Sequence, residues 1–186
     1  YIARIGNKSH VENDKILSDL NKNIQLKLIQ EKEAYSVVKT RFIASGYSNP
    51  LSGKLKGSTK NTDNRLFEIS HLPAPIEEDK ERELMSLLDT HLPKTDLLVV
   101  SDFGHGLLTE SAIQYICDLD HFIALNVQTN SSNFGFNLIT KYSRADFICI
   151  DEVEARLALG ERTKDIDFVA NKILTLIDCK HLMITR

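Results

Sequence analysis

From Leu97 onward the chain alternates short apolar runs with helical patterns, and this regularity constrains the fold more than any other feature. The runs Leu97–Val100, Phe122–Leu125, Phe147–Ile150 and Leu182–Ile184 read as strands. Helical patterns fall over Leu107–Leu119, Glu152–Leu159 and Asp165–Ile177, with Gly160 as a stop signal. A helix over Ile76–His91, acidic near its start, precedes them. Short apolar strands alternating with helices predict an α/β domain with a parallel sheet covered on both faces.

The first seventy residues read differently. Tyr1–Ile5 predicts a strand ending at Gly6, and Ser9 an N-cap for a helix reaching about Leu20. Ile24–Ile29, Tyr35–Ala44 and Arg65–Ser70 read as closely spaced strands, which suggests an antiparallel flap lying mainly within 24–70. Between the last two, Ser45–Asn64 is rich in Ser, Gly, Asn and Lys and reads as a long surface loop. The α/β core then occupies 76–186 within one domain spanning 1–186.

Composition excludes several classes. Twenty-three basic against 26 acidic residues leave a net charge of -3, so no polyanion-binding surface and no nucleic-acid partner is expected. No apolar run approaches the roughly 20 residues needed to span a bilayer, so no membrane partner is expected. Cys117, Cys149 and Cys179 are far apart and odd in number. They read as free thiols of a cytoplasmic protein.

In an open parallel sheet, ligands bind outside the carboxyl ends of the strands. Here the four exits are Ser101–Gly106, Asn126–Asn130, Asp151–Glu154 and Thr185–Arg186, all polar. Asp151 and Glu154 lie three apart at a helix start. That spacing suits either Mg²⁺ beside nucleotide phosphates or a capping box. Asp102 could accept from a sugar hydroxyl and His105 could donate to a phosphate. Equally, Ser101–Gly106 could be an ordinary strand-to-helix turn. Lys39 and Arg41 share one strand face, suited to an anionic substrate or simply to solvent.

These motifs resemble the ribokinase/PfkB carbohydrate kinases. Val99–Gly106 is similar to the Ser-Asp-Tyr-x-Lys-Gly segment of the heptose-phosphate kinase domain of ADP-heptose synthase. Asp151-x-x-Glu154 is similar to the family's Asn-x-x-Glu motif, Lys39-Thr40-Arg41 to its Lys-x-Arg lid strand, and Thr185-Arg186 to the start of a Thr-Arg-Gly segment. Asn126–Ser131 with Asn133–Asn137 resembles a subgroup whose PfkB domain is joined to a cytidylyltransferase-like domain.

The resemblance implies a partial ribokinase-like domain, with a Rossmann-like sheet flanked by helices and a small β lid. It implies ATP-dependent phosphorylation of a sugar or sugar phosphate in activated-sugar or surface-glycan synthesis. Lys39, Arg41, Asp102 and Asn126 would then hold substrate. His105, Gln128, Thr185 and Arg186 would meet nucleotide or phosphate, and Asp151 and Glu154 would organise Mg²⁺. A catalytic base in a Gly-x-Gly-Asp segment is expected beyond Arg186, so turnover by these residues alone is not expected. Lid strands could also pair two copies into a homodimer. Departures from the family pattern, including His105 for Lys and Asp151 for Asn, leave an alternative. In it the chain is a non-catalytic sugar- or nucleotide-binding, regulatory or scaffold domain of a fused nucleotidyltransferase.

Overall fold

The computed structural model describes residues 1–6, 20–44 and 64–186. The helix expected from Ser9 and most of the loop expected over Ser45–Asn64 lie outside the described residues. Four parallel strands form the main sheet: β5 (Leu97–Asp102), β6 (Phe122–Val127), β7 (Arg144–Asp151) and β8 (Asp178–Thr185), in that spatial order. The helices are α1 (Glu78–His91), α2 (Glu110–Asp118), α3 (Glu152–Leu159) and α4 (Ile166–Leu176). Thr109 caps α2 and Asp165 caps α4 through side-chain acceptors, while Gly160 ends α3 at φ 62°, where an L side chain would be strained.

Consecutive parallel strands that always step the same way along the sheet place right-handed crossovers on one side. Register shows the result. Val100, Leu125, Ile148 and Leu182 stand in one cross-strand row and join the core with Leu84, Ile116, Val169 and Ile173 of the helices. On the opposite face Leu97, Val99, Phe122 and Met183 are exposed. Among the described residues, then, the helices gather on one face. The expectation of cover on both is met on that side only.

Two smaller ladders complete the described residues. β1 (Ile2–Gly6) pairs in parallel with β2 (Lys27–Glu31), whose Ile29 is fully buried. β3 (Val38–Ala44) pairs antiparallel with β4 (Asn64–His71), with a register shift after Phe42. The strand expected over 24–29 in the flap therefore runs parallel to β1 and packs near α1 instead. The antiparallel ribbon is β3–β4 alone, with Phe42 stacked on Phe67.

Asp146 stitches the amino-terminal half of the sheet. Its carboxylate accepts from Ile123 N at 3.0 Å, Arg144 at 3.1 Å and Lys180 at 2.7 Å. Lys180 first, then the Ile123 amide, hold this carboxyl below its ordinary value. A depressed carboxyl stabilises the fold above its unfolded pKa, and that contribution fades as pH falls through the folded value. Asp146→Asn should therefore cost about 1–2 kcal/mol in urea unfolding at pH 7. The gap to the parent chain should narrow as the pH falls below 4.

Candidate functional site

Because all four main strands are parallel, their carboxyl ends share one edge, and the four polar exits foreseen from the sequence meet there. β5 extends two residues past Val100, so Ser101 and Asp102 are still in register with Asn126 and Val127.

Asp102 anchors this edge. Its residue is 5% exposed, and both carboxylate oxygens are engaged. Oδ1 accepts from Gly104 N at 2.9 Å; Oδ2 accepts from Tyr142 Oη at 2.8 Å and pairs with Lys141. Burial, then the Asp102 charge, pushes the Tyr142 phenol far above its ordinary value. In this arrangement both Asp102 oxygens hold the loop after β5.

An asparagine-rich strap holds the same loop from the other side. Asn130 and Asn133 both donate to Phe103 O, at 3.0 and 2.9 Å. Asn137 donates to Asp102 O and Gln128 O. The loop can take this cover only with glycine at 104, where φ is 66°. A Cβ there would fall 2.2 Å from Asn133 Nδ2 and 2.6 Å from Asn137 Cγ.

Asp151 and Glu154 form a reciprocal capping box. Asp151 Oδ1 accepts from Glu154 N at 2.7 Å, and Glu154 Oε2 accepts from Asp151 N at 3.0 Å. Glu154 Oε1 accepts from Thr129 N at 2.9 Å, which ties the β6 exit to the start of α3. Both Glu154 oxygens are thus used by backbone amides. No group of three or more His, Cys, Asp or Glu that could hold a metal ion occurs among the described residues. Asp151 is exposed and suits contact with the water shell of an ion carried by phosphates.

The remaining sequence candidates divide by position. Asn126 donates to Cys149 O at 2.7 Å and bridges β6 to β7. Gln128 is exposed at the β6 exit, its backbone N donating to Asp102 O. Thr185 lies in register with Asp151. Arg186 pairs with Glu152 at 2.8 Å, and Glu152 also holds Arg156. On the ribbon, Arg41 pairs with Glu68 at 2.9 Å across the strands.

Lys39 instead reaches the field of His105. Burial first and the Lys39 charge second lower His105 from its ordinary 6.5, while Asp102 opposes them. The ribbon and the β5 exit are thus neighbours. Between the folded and unfolded pKa of His105 the unfolded chain binds more protons, so this histidine's effect destabilises the fold as pH falls below about 6.5. NMR titration of His105 should give a midpoint below 6.5. Lys39→Met should raise that midpoint and Asp102→Asn should lower it further.

Sequence reasoning passed over Arg4. At the middle of β1 it pairs with Glu31 at 2.6 Å, and Nη1 lies 3.5 Å from His105 O. Its alternation with Ile2 and Gly6 along one strand gave no warning that its side chain reaches the loop after β5. Lys141 and Tyr142 were also passed over; they lie about 40 residues from Asp102 and only the fold joins them.

A four-stranded parallel sheet with its polar exits at one carboxyl edge, together with a separate two-stranded antiparallel ribbon whose Lys39 lies within electrostatic reach of His105, is a ribokinase-like α/β arrangement. The phosphofructokinase-2 of Escherichia coli, in a structure described as its tetrameric inhibited form, superposes with a TM-score of 0.59 at 12% identity. It covers 97% of this chain and 54% of its own. Two relatives, each named "Bifunctional protein HldE", are similar in sequence. That of Nitrobacter hamburgensis is 28% identical over 119 residues, covering 61% of this chain and 23% of its own. That of Hyphomonas neptunium is 26% identical over 101 residues, covering 54% and 18%. The matches thus span about a quarter or less of the curated relatives' length. No family model matches the chain. The chain thus shares the fold of that kinase and is similar in sequence to the two HldE proteins.

Proposed function

We propose that this chain is part of an ATP-dependent sugar-phosphate kinase, a phosphotransferase acting on an alcohol group. The observation that carries the reading is the meeting of four polar strand exits with the Lys39-bearing ribbon at one edge of a sheet. Similarity to bifunctional HldE proteins supports a phosphorylated heptose as substrate and a second, cytidylyltransferase-like domain in the parent protein. Activated-sugar synthesis in the cytoplasm follows from the same reading.

Phosphoryl transfer is catalysed mainly by positioning and charge stabilisation. Lys39 would meet substrate phosphate from the ribbon, with Arg41 outward on the same face. His105, neutral near pH 7, would donate a hydrogen bond to phosphate. Gln128, Thr185 and Arg186 would border the nucleotide, and Asn126 would hold the β6 exit beneath the substrate. Mg²⁺ would arrive on ATP and neutralise phosphate charge, touching Asp151 through water. Asp102 and Glu154 would act by holding the loops that carry these groups. The exposed apolar face of the ribbon, with Phe42, Phe67 and Ile69, would pair two copies.

A thermal-shift screen of the full-length parent with Mg²⁺-ATP and with sugar phosphates tests the reading, because a ligand of the native state raises its midpoint. Shifts are expected with heptose phosphates and not with free hexoses. No shift with any nucleotide or sugar phosphate would refute it.

A further inference from the structure

We propose that Asn130 is a positioning residue for His105, holding the neutral imidazole in the form protonated at Nδ1, so that Nδ1–H is the donor offered to substrate phosphate. The donor role rests on the phosphotransfer reading; the choice of tautomer does not. Backbone partners fix which way the Asn130 amide faces. Ser132 N donates to Oδ1 at 3.0 Å, and Nδ2 donates to Phe103 O at 3.0 Å. A backbone amide only donates and a backbone carbonyl only accepts, so the two ends of the side chain cannot exchange places. The Ser132 hydroxyl also donates to Oδ1, and Asn130 N donates to Asn133 Oδ1 at 2.8 Å.

Nδ2 is therefore the atom that faces His105 Nε2, at 3.5 Å. An amide nitrogen offers only hydrogens, so the ring nitrogen opposite it is favoured as the lone pair. In the neutral ring the proton then sits on Nδ1. This reverses the preference of free histidine, whose neutral form mostly carries its proton on Nε2. Phe103 lies nearly parallel to the imidazole, 6.2 Å between centroids, and lines its face. The charged groups that reach His105 are Lys39 of the ribbon, Asp102 at the end of β5 and Arg4 of β1, which approaches its backbone carbonyl. Among the described residues none of these three bonds a ring nitrogen, so the tautomer is left to Asn130. Protonating Nε2 would set two donors face to face, so the contact also opposes the charged ring, in the same direction as burial and Lys39.

Long-range proton–nitrogen NMR of the isotope-labelled full-length parent, above the His105 midpoint, reads the tautomer directly. Nδ1 should resonate as a protonated ring nitrogen and Nε2 as an unprotonated one. Asn130→Asp sets a carboxylate oxygen opposite Nε2, so the proton should move to Nε2 and the titration midpoint should rise by about one unit. Asn137→Ala loosens the same strap where it holds Asp102 O and Gln128 O, away from the imidazole, and should leave the proton on Nδ1. A parent ring protonated at Nε2, a tautomer unchanged in Asn130→Asp, or the same switch in Asn137→Ala would overturn the proposal. Mg²⁺-ATP and a heptose phosphate, added to the parent, should then move the Nδ1 resonance and leave Nε2 unprotonated. Ligands that raise the thermal midpoint but move neither ring nitrogen would overturn the donor role alone. Absence of any binding would overturn that role together with the phosphotransfer reading, with the tautomer already read.

Discussion

Asp102→Ala should lower the unfolding free energy by about 3 kcal/mol, the scale of breaking a buried charged pair. For a chain of this size that is a fall of roughly 6–12 °C in thermal midpoint. The loss should come mostly from the groups left behind. Tyr142 is 1% exposed, and removing Asp102 strands its hydroxyl without an acceptor. Gly104 N loses its acceptor as well. Lys141, whose side chain is 29% exposed, can turn to water and should contribute less. The double replacement Asp102→Ala with Tyr142→Phe should therefore cost less than the two single changes summed. Urea unfolding of the four proteins reads this out. A loss below about 1 kcal/mol for Asp102→Ala would mean that this cluster does not hold the loop.

Glu154→Ala should cost about 2 kcal/mol and should also damage the site, because one side chain holds two strand exits. It accepts from Thr129 N after β6 and from Asp151 N at the end of β7. Alanine leaves both amides to water and opens the capping box. Glutamine keeps one carbonyl acceptor, so stability should rank parent, then Glu154→Gln, then Glu154→Ala. On the kinase reading, Mg²⁺-ATP affinity should fall roughly tenfold in the alanine variant, the scale seen when a group that orients a site is removed. Glutamine should recover part of it. Equal affinity in all three proteins would assign Glu154 to stability alone.

Much of the main sheet was legible because its strands are continuously apolar, including residues such as Leu97 and Val99 on the exposed face. Leu97–Val100 and Phe147–Ile150 could hardly be anything else once helices flank them. The strand ends were less visible. Ser101 and Asp102 continue the β5 ladder although they are polar: Ser101 is exposed, and Asp102 is buried with its carboxylate paired. The partner of β2 was not legible at all. Alternation over 24–29 marks a half-buried strand without saying which strand lies beside it, and that partner is β1, more than twenty residues away.

At the site, the Asp151–Glu154 spacing allowed two readings, and the capping box among them is present in full. Asp102 was noticed for its position after a strand, but the residues that occupy it were not. Lys141 and Tyr142 follow a turn after the asparagine run, and nothing local marks them as partners of a carboxylate 40 residues earlier. Arg41 illustrates the same limit: its pairing with Glu68 depends on the β3–β4 register.

The central claim is that the shared carboxyl edge of β5–β8, with Lys39 of the ribbon in reach of it, binds nucleotide and sugar phosphate. Amide chemical-shift mapping of the full-length parent with Mg²⁺-ATP and a heptose phosphate tests it most directly. The account predicts that the largest shifts fall on Lys39, Gly104 to Gly106, Gln128, Thr129, Asp151 and Arg186, together and saturably. Saturable shifts confined to the opposite edge of the sheet, or no shift at any of these exits, would contradict it.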